Sequence, residues 1–443
     1  METLPSYKVI WKISYPIILS LVAQNIINVI DTAFLGRVGE VELGASALAG
    51  LFYISLFMLG FGFSTGAQIL IARRHGEGNY KDIGNIFDQS LYFLIGLALV
   101  LFLFIKMFST GILGRFISSE AIFQACTRFL QYRIWGLFFA FTNVIFRAFY
   151  IGITRTKVLT VSAVIMAAVN ILLDYVLIFG HWGFPQMGIA GAALASVIAE
   201  ASSALFFIII TARNKKLKSY NLGQFPWPSI KLVRKTLEIS SFIMAQFFIS
   251  LGGWFVFFMI IEKMGERSLA VSNIIRSAYM VLMLPIWALG STTSSLVSNA
   301  LGAGHPELVL PLIRRITKVG IAMMLVVVSI SVIFPKMIIS IYTSNAGLIQ
   351  DTIPPLYVVM GALILFSMTQ IMFSGVSGTA NTNISMLIEI ITICIYLFAT
   401  WLIAIHFKQP ITVVWCCEYV YFLSLGLMSF AYLRWGKWRL KVV

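Results

Sequence analysis

The run from Ile13 to Leu35, ISYPIILSLVAQNIINVIDTAFL, is apolar over the length of a membrane crossing and carries one carboxylate, Asp31. At about 1.5 Å of rise per residue, a helix of this length crosses a hydrocarbon core of about 30 Å. A charge held there costs roughly 2.5 to 3.5 kcal/mol even on a lenient insertion scale, so an acid within a span faces a bundle interior or a wet cavity. Gln24 and Asn28 stand seven and three residues before Asp31, which stacks all three along one stripe of the helix while its other faces stay apolar. The run is longer than the apolar segment of a signal peptide and lacks a small-residue cleavage site, so it is expected to be retained as the first span.

Similar runs recur throughout the chain. Of its 443 residues 59% are hydrophobic and only 11% are charged, and the mean hydropathy is +0.93. That composition excludes a soluble protein and places the chain among all-α polytopic membrane proteins. Twelve transmembrane helices are predicted, near residues 13–35, 47–71, 88–108, 130–151, 158–180, 188–212, 238–261, 275–299, 315–336, 354–376, 384–405 and 411–433. The net charge of +15 does not mark a nucleic-acid surface, because the basic residues sit between spans. With the N-terminus inside, about 22 of the Lys and Arg residues fall in inside segments, so the positive-inside rule puts both termini in the cytoplasm. An inner or plasma membrane location follows. The four cysteines, Cys126, Cys394, Cys416 and Cys417, lack metal or redox spacing and read as small core residues.

A basic connection separates six spans from six. Residues 213–235 carry Lys215, Lys216, Lys218, Lys231, Arg234 and the stiff segment FPWPS, and read as a solvated cytoplasmic linker touching anionic headgroups. The expected lobes are therefore 1–212 and 236–443. The halves also repeat: adding 226 to a position pairs Gly39 with Gly265, Glu40 with Glu266, Gly76 with Gly302, Gly152 with Gly378 and Thr156 with Thr382. Loop glycines and polar residues agreeing at one offset over this distance argue for duplication of a six-helix unit. An even number of spans per unit makes the two repeats parallel, an arrangement typical of transporters with a substrate cavity between two bundles.

Span 5 offers a second acid at the level of the first. In VNILLDYVLIFG, Asn170 and Asp174 are one helical turn apart and point the same way. Both acids lie roughly 25 Å from the cytoplasmic edge by rise arithmetic. Span 6 brings Ser196 toward the same depth, and the small residues of GIAGAALAS allow close helix approach. Two carboxylates, an amide oxygen and a hydroxyl form a hard oxygen set suited to Na⁺. Without the ion, two neighbouring acids in a low dielectric cannot both ionise cheaply, so the pair should hold a proton. The alternative is two structural acids, each satisfied by its own backbone or hydroxyl donors. Glu200, one turn beyond Ser196, is the candidate accessory acid. Asp31 maps by the offset to Phe257, Asn170 to Tyr396 and Asp174 to Thr400, so the second half lacks the set. Glu389 and Glu418 are possible second sites there. Gln24, Asn28, Asn143 and Gln246 are candidates for a substrate cavity wall, amid the methionines and aromatic residues that adapt to varied apolar cations.

FLGRVG after Asp31, NILLD in span 5, GIAGAALAS in span 6, the Gly-x-Gly after spans 2 and 8, and FRAFYIGITRT with its echo MFSGVSGTANT together resemble the multidrug and toxic compound extrusion transporters over nearly the whole chain. The resemblance implies a V-shaped pair of six-helix lobes and antiport of organic cations or other amphiphiles against Na⁺ or H⁺. It also implies the branch whose ion site lies in the N-terminal lobe, here Asp31, Asn170, Asp174 and Ser196, with serine in place of the usual threonine. Other branches carry an acid in span 7, where this chain has Gln246, Ile249 and Ser250. An ATP-driven pump is disfavoured by the missing GxxxxGK[ST] loop, and a polytopic membrane enzyme by the missing HExxH and convergent histidines. A lipid or lipid-linked oligosaccharide flippase of the same superfamily is the closer alternative, but such proteins tend to carry basic residues within spans, whereas the in-span ionisable groups here are mainly acidic and favour cations. The expectation is a transporter working as a monomer in the lipid bilayer on a small-molecule substrate, without a cofactor other than the coupling Na⁺ or H⁺.

Overall fold

The computed structural model describes residues 3–439, and these are helical nearly throughout. The first seven helices are α1 (Tyr7–Val38), α2 (Glu40–Gly76), α3 (Tyr80–Phe116), α4 (Glu120–Arg133), α5 (Gly136–Gly152), α6 (Lys157–Phe179) and α7 (Ile189–Arg213). They are followed by α8 (Ile230–Glu262), α9 (Glu266–Gly302), α10 (Val309–Ile333), α11 (Pro335–Ser340), α12 (Ala346–Gly378), α13 (Thr382–Trp401), α14 (Ile411–Val414) and α15 (Cys417–Trp435). By length and apolarity, 11 of the helical segments can cross a membrane, and a twelfth crossing is the pair α4 and α5, bent by 53° at its break. Every span expected from the sequence falls on one of these segments. Exposed side chains such as Leu99, Val100, Leu103, Val161, Val164, Leu205, Ile330 and Ile333 give the outer faces the apolar character of a lipid-facing surface.

The chain divides into two compact units. One comprises residues 15–244, and the other takes the segment up to Ser14 together with the chain from Ala245 onward. The crossings therefore fall inside α1 and inside α8. Pro16, just past the first crossing, removes a backbone donor from the α1 ladder. The Thr160 hydroxyl of α6 donates to the Pro16 carbonyl at 3.1 Å within the first unit. The Ser14 hydroxyl donates to Thr292 Oγ1 at 3.1 Å within the second.

Within the first unit an aromatic cluster ties α3, α5 and α7 together. The rings of Phe87 and Phe146 meet edge-on at 4.9 Å, and Phe146 stacks on Phe207 at 5.4 Å. The basic connection is docked against this unit. Asp88 of α3 accepts from the backbone N–H groups of Gly223 and Phe225, each at 3.0 Å, and Gln89 bonds to Ser229 N and Trp227 O at 2.7 and 3.0 Å. Leu217 and Tyr220 are buried while Lys215, Lys216 and Lys218 stay exposed, so the segment is anchored through its apolar residues and backbone. Gly84 is required here: a Cβ would collide with the carbonyls of Tyr220 and Asn221.

In the second unit the core runs through Phe257, Tyr279, Phe366, Trp415 and Phe422, all buried. Phe257 stacks on Tyr396 at 5.4 Å and meets Trp415 edge-on at 5.3 Å. Aromatic bulk thus fills the positions that the sequence repeat pairs with Asp31 and Asn170.

Candidate ion site in the first unit

The Asp31 and Asp174 carboxyls, from α1 and α6, are neighbours close enough for the charge of each to act on the other. Two ionised carboxylates so placed repel each other; a shared proton or a cation between them relieves the repulsion. Asp174 is fully buried, and Asn170 is 1% exposed one turn before it on the same helix. Among the described residues no hydrogen-bond donor reaches Asp31 Oδ1 or either carboxylate oxygen of Asp174, and neither polar atom of the Asn170 side chain has a partner. Buried polar atoms left in this way cost roughly 1–3 kcal/mol each, more when charged, unless an exchangeable group satisfies them. The two acids and the amide form a pocket of oxygens short of positive charge.

The other expected residues are distributed differently. Ser196 lies half-buried on α7 with no hydrogen bond to Asp31 or Asp174. Glu200, expected as an accessory acid, instead gives both carboxylate oxygens to a cation: Arg133 Nη2 and Nη1 donate to its Oε1 and Oε2 at 2.6 and 2.8 Å. Gln24 and Asn143 line a small internal cavity of about 30 Å³ together with Ser20, Arg147, Ser162 and Ser203. Asn28 is exposed, so the stripe through Gln24, Asn28 and Asp31 is split among three environments. Gln246 belongs to the second unit and is half-buried there.

A directed hydrogen-bond chain links that cavity to Glu200. Ser203 donates to Asn143 Oδ1 at 3.0 Å, and its one proton being so used, Ser162 is the donor in the 2.6 Å contact between the two serines. Asn143 Nδ2 then donates to the Glu200 carbonyl at 2.9 Å.

Arg133 is the residue that sequence reasoning missed. It ends α4 at the break in the bent span, with its guanidinium carbon 4.0 Å from the centre of the Tyr53 ring. A lysine or arginine near a span end is ordinary in membrane proteins and carries no signal of its own. Only the break in that span brings its side chain under Glu200. Gly136 makes room for the arrangement, because a Cβ there would collide with the Arg133 guanidinium and the Glu200 carboxylate.

The MatE family profile matches the chain twice, over residues 16–176 and again over 242–402. The second match begins and ends 226 residues after the first, which is the offset at which loop glycines repeat. The chain belongs to the MatE family. It is a multi-pass membrane protein of a transporter family. Among curated relatives, the probable multidrug resistance proteins NorM of Synechocystis sp. and Rhizobium meliloti are similar over nearly the whole length. The first is 24% identical, covering 98% of this chain and 94% of its own, and the second is 26% identical, covering 96% and 91%. Among solved structures, a MOP superfamily transporter from Pyrococcus furiosus aligns with a TM-score of 0.87 at 18% identity, covering 97% of this chain and 95% of that one. A variant of the Vibrio cholerae MATE transporter VcmN aligns with a TM-score of 0.87 at 17% identity, covering 98% of each. The structural likeness establishes the shared MatE fold.

Proposed function

We propose that this MatE protein exports amphiphilic, cationic organic compounds in exchange for Na⁺ or H⁺, with Asp31, Asn170, Asp174 and Ser196 holding the coupling ion. The observation that carries the reading is the buried Asp31 and Asp174 pair, whose carboxyls are neighbours without a protein donor. The names of relatives, probable multidrug resistance proteins NorM, support export of varied drug-like compounds. The coupling ion enters as substrate. From outside, Na⁺ or H⁺ settles between the two carboxyls and draws α1 and α6 together. Substrate arriving from the cytoplasm or inner leaflet favours the state in which the ion leaves inward. Exchange of this kind requires only that each ligand bind the two facings with different affinity. α1 is suited to respond because Pro16 interrupts its ladder near the point where the chain passes between units. The same reading places the protein in the plasma membrane as a monomer with both termini cytoplasmic.

The test is efflux of ethidium from proteoliposomes with Na⁺ and pH gradients imposed separately. Asp31→Asn should abolish gradient-driven efflux while the protein still purifies as a folded species. Unchanged efflux would refute the site.

A further inference from the structure

A cation built into the protein stands within electrostatic range of the proposed ion site. Arg133 and Glu200 are both largely buried, with side-chain exposures of 13% and 15%, and their bidentate geometry is that of a strong pair. The guanidinium bonds Glu200 from α7 and lies over the Tyr53 ring from α2, and the other titratable group whose charge acts on it is Asp31 from α1. Asp174 of α6 is in turn the neighbour of Asp31, and α5 contributes the neutral Gly136 and Asn143. The Tyr53 hydroxyl is buried without a partner, so the ring serves the guanidinium by its face while its polar end is uncommitted. The guanidinium therefore sits between two claims. One is the carboxylate it now holds, and the other is Asp31, which carries negative charge whenever the coupling ion is absent.

We propose that Arg133 is a tethered counter-cation of the ion site, and that Glu200, by holding it, sets how tightly the Asp31 and Asp174 pair binds Na⁺ or H⁺. This rests on the ion-site reading above. With Glu200 in place, Arg133 is neutralised locally and the acid pair must take its positive charge from an external ion. With Glu200 neutral, the guanidinium is free to turn to Asp31 and compete with that ion. With Arg133 gone, Glu200 adds an uncompensated negative charge and draws the ion in. A purely structural ion pair predicts something different: both single changes loosen the protein, and neither moves the ion dependence in a chosen direction.

The experiment uses the full-length protein in detergent, following its thermal unfolding as NaCl replaces choline chloride at alkaline pH, and as pH is lowered without Na⁺. An ion that binds the native state alone raises the unfolding temperature according to its concentration relative to its dissociation constant, so the half-saturating concentration is read without any transported compound. Glu200→Gln should raise that concentration at least tenfold, or about 1.4 kcal/mol. Arg133→Gln should lower it, and the double variant should return to within about threefold of the parent, as cancellation of the two opposed charge changes requires. Single variants that shift in the same direction, or not at all, overturn the proposal. If Arg133→Gln fails to fold, Glu200→Gln decides alone, because a structural role predicts a lower unfolding temperature with an unmoved half-saturation point. Asp31→Asn separates the two levels. If it keeps the ion response, or if the parent shows none, the ion-site reading falls and this inference with it. If it loses the response while Glu200→Gln leaves the half-saturation point in place, only the counter-cation role falls.

Discussion

Two acids within the spans of each unit invite comparison, Asp31 and Asp174 in the first and Glu389 and Glu418 in the second, and the two pairs are satisfied in opposite ways. In the second unit, Glu389 is 2% exposed and receives hydrogen bonds from Ser250 and Tyr421 at 2.6 and 2.8 Å. Glu418, 4% exposed, receives Tyr396 on one oxygen at 3.0 Å and Tyr279 on the other at 2.9 Å. No lysine or arginine bonds to either acid among the described residues. In the first unit, Asp31 and Asp174 have each other and little else. A hydroxyl fixed in a helix is a permanent donor, so the glutamates are provided for by the fold itself. The aspartates are provided for only by something that can come and go. Burial of an acid therefore does not by itself point to an ion site; the reading proposed above rests on burial with the donors withheld.

The repeat shows how one scaffold was turned to both uses. At the shared offset, Asp31 and Asn170 correspond to Phe257 and Tyr396, which stack at 5.4 Å. Gln24 and Ala163, which line the small cavity of the first unit, correspond to Ser250 and Glu389, which bond to each other. Tyr53, beneath the Arg133 guanidinium, corresponds to Tyr279, which holds Glu418. Where one unit keeps space and unpaired oxygens, the other has filled the space with rings and closed the hydrogen bonds.

The contrast can be broken most sharply at Asp174. Asp174→Asn should reduce ion-driven ethidium efflux by roughly 100-fold, at the upper end of typical coupling free energies, measured in proteoliposomes at equal protein content. Glu418→Ala should do the reverse. It strands two buried phenols, costing roughly 2–5 kcal/mol at the usual penalty per unsatisfied group, and should give a large fall in unfolding temperature while the ion dependence of efflux keeps its midpoint. A moved midpoint there would make the second unit a coupling site and erase the distinction.

Asp88 supplies a case within the first unit, since it is an acid with backbone donors of its own. Asp88→Ala should cost roughly 1.5–3 kcal/mol, the range for hydrogen bonds to a charged group. It should also release the basic connection, seen as faster trypsin cleavage at Lys215, Lys216 and Lys218 with the ion dependence intact. Ser250→Ala is the mildest change. Glu389 retains Tyr421, so a loss of about 1 kcal/mol is expected by thermal unfolding, with efflux unaltered.

Much of this was legible before any coordinates. The offset pairing Gly39 with Gly265 and Thr156 with Thr382 was visible because turn and loop positions tolerate few residue types, and the duplication of the family profile follows it. Asp31 and Asp174 were legible because an acid inside an apolar run is costly enough to demand a reason. Arg133 was not, because it stands where basic residues are common and its meaning comes from the bend after it. The exposure of Asn28 was not legible either. Helical periodicity places residues on one stripe, but which part of the stripe meets a neighbouring helix is settled by packing along the whole length.

What the chain of residues determined by itself was the membrane class, the helices, the repeat and the two acids, all of which follow from local apolarity and from spacing along one element. Tertiary structure alone decided which polar groups find donors. That outcome depends on distances of a few ångströms between side chains far apart in sequence, and it separates an acid that the fold supplies with donors from one that it leaves without them.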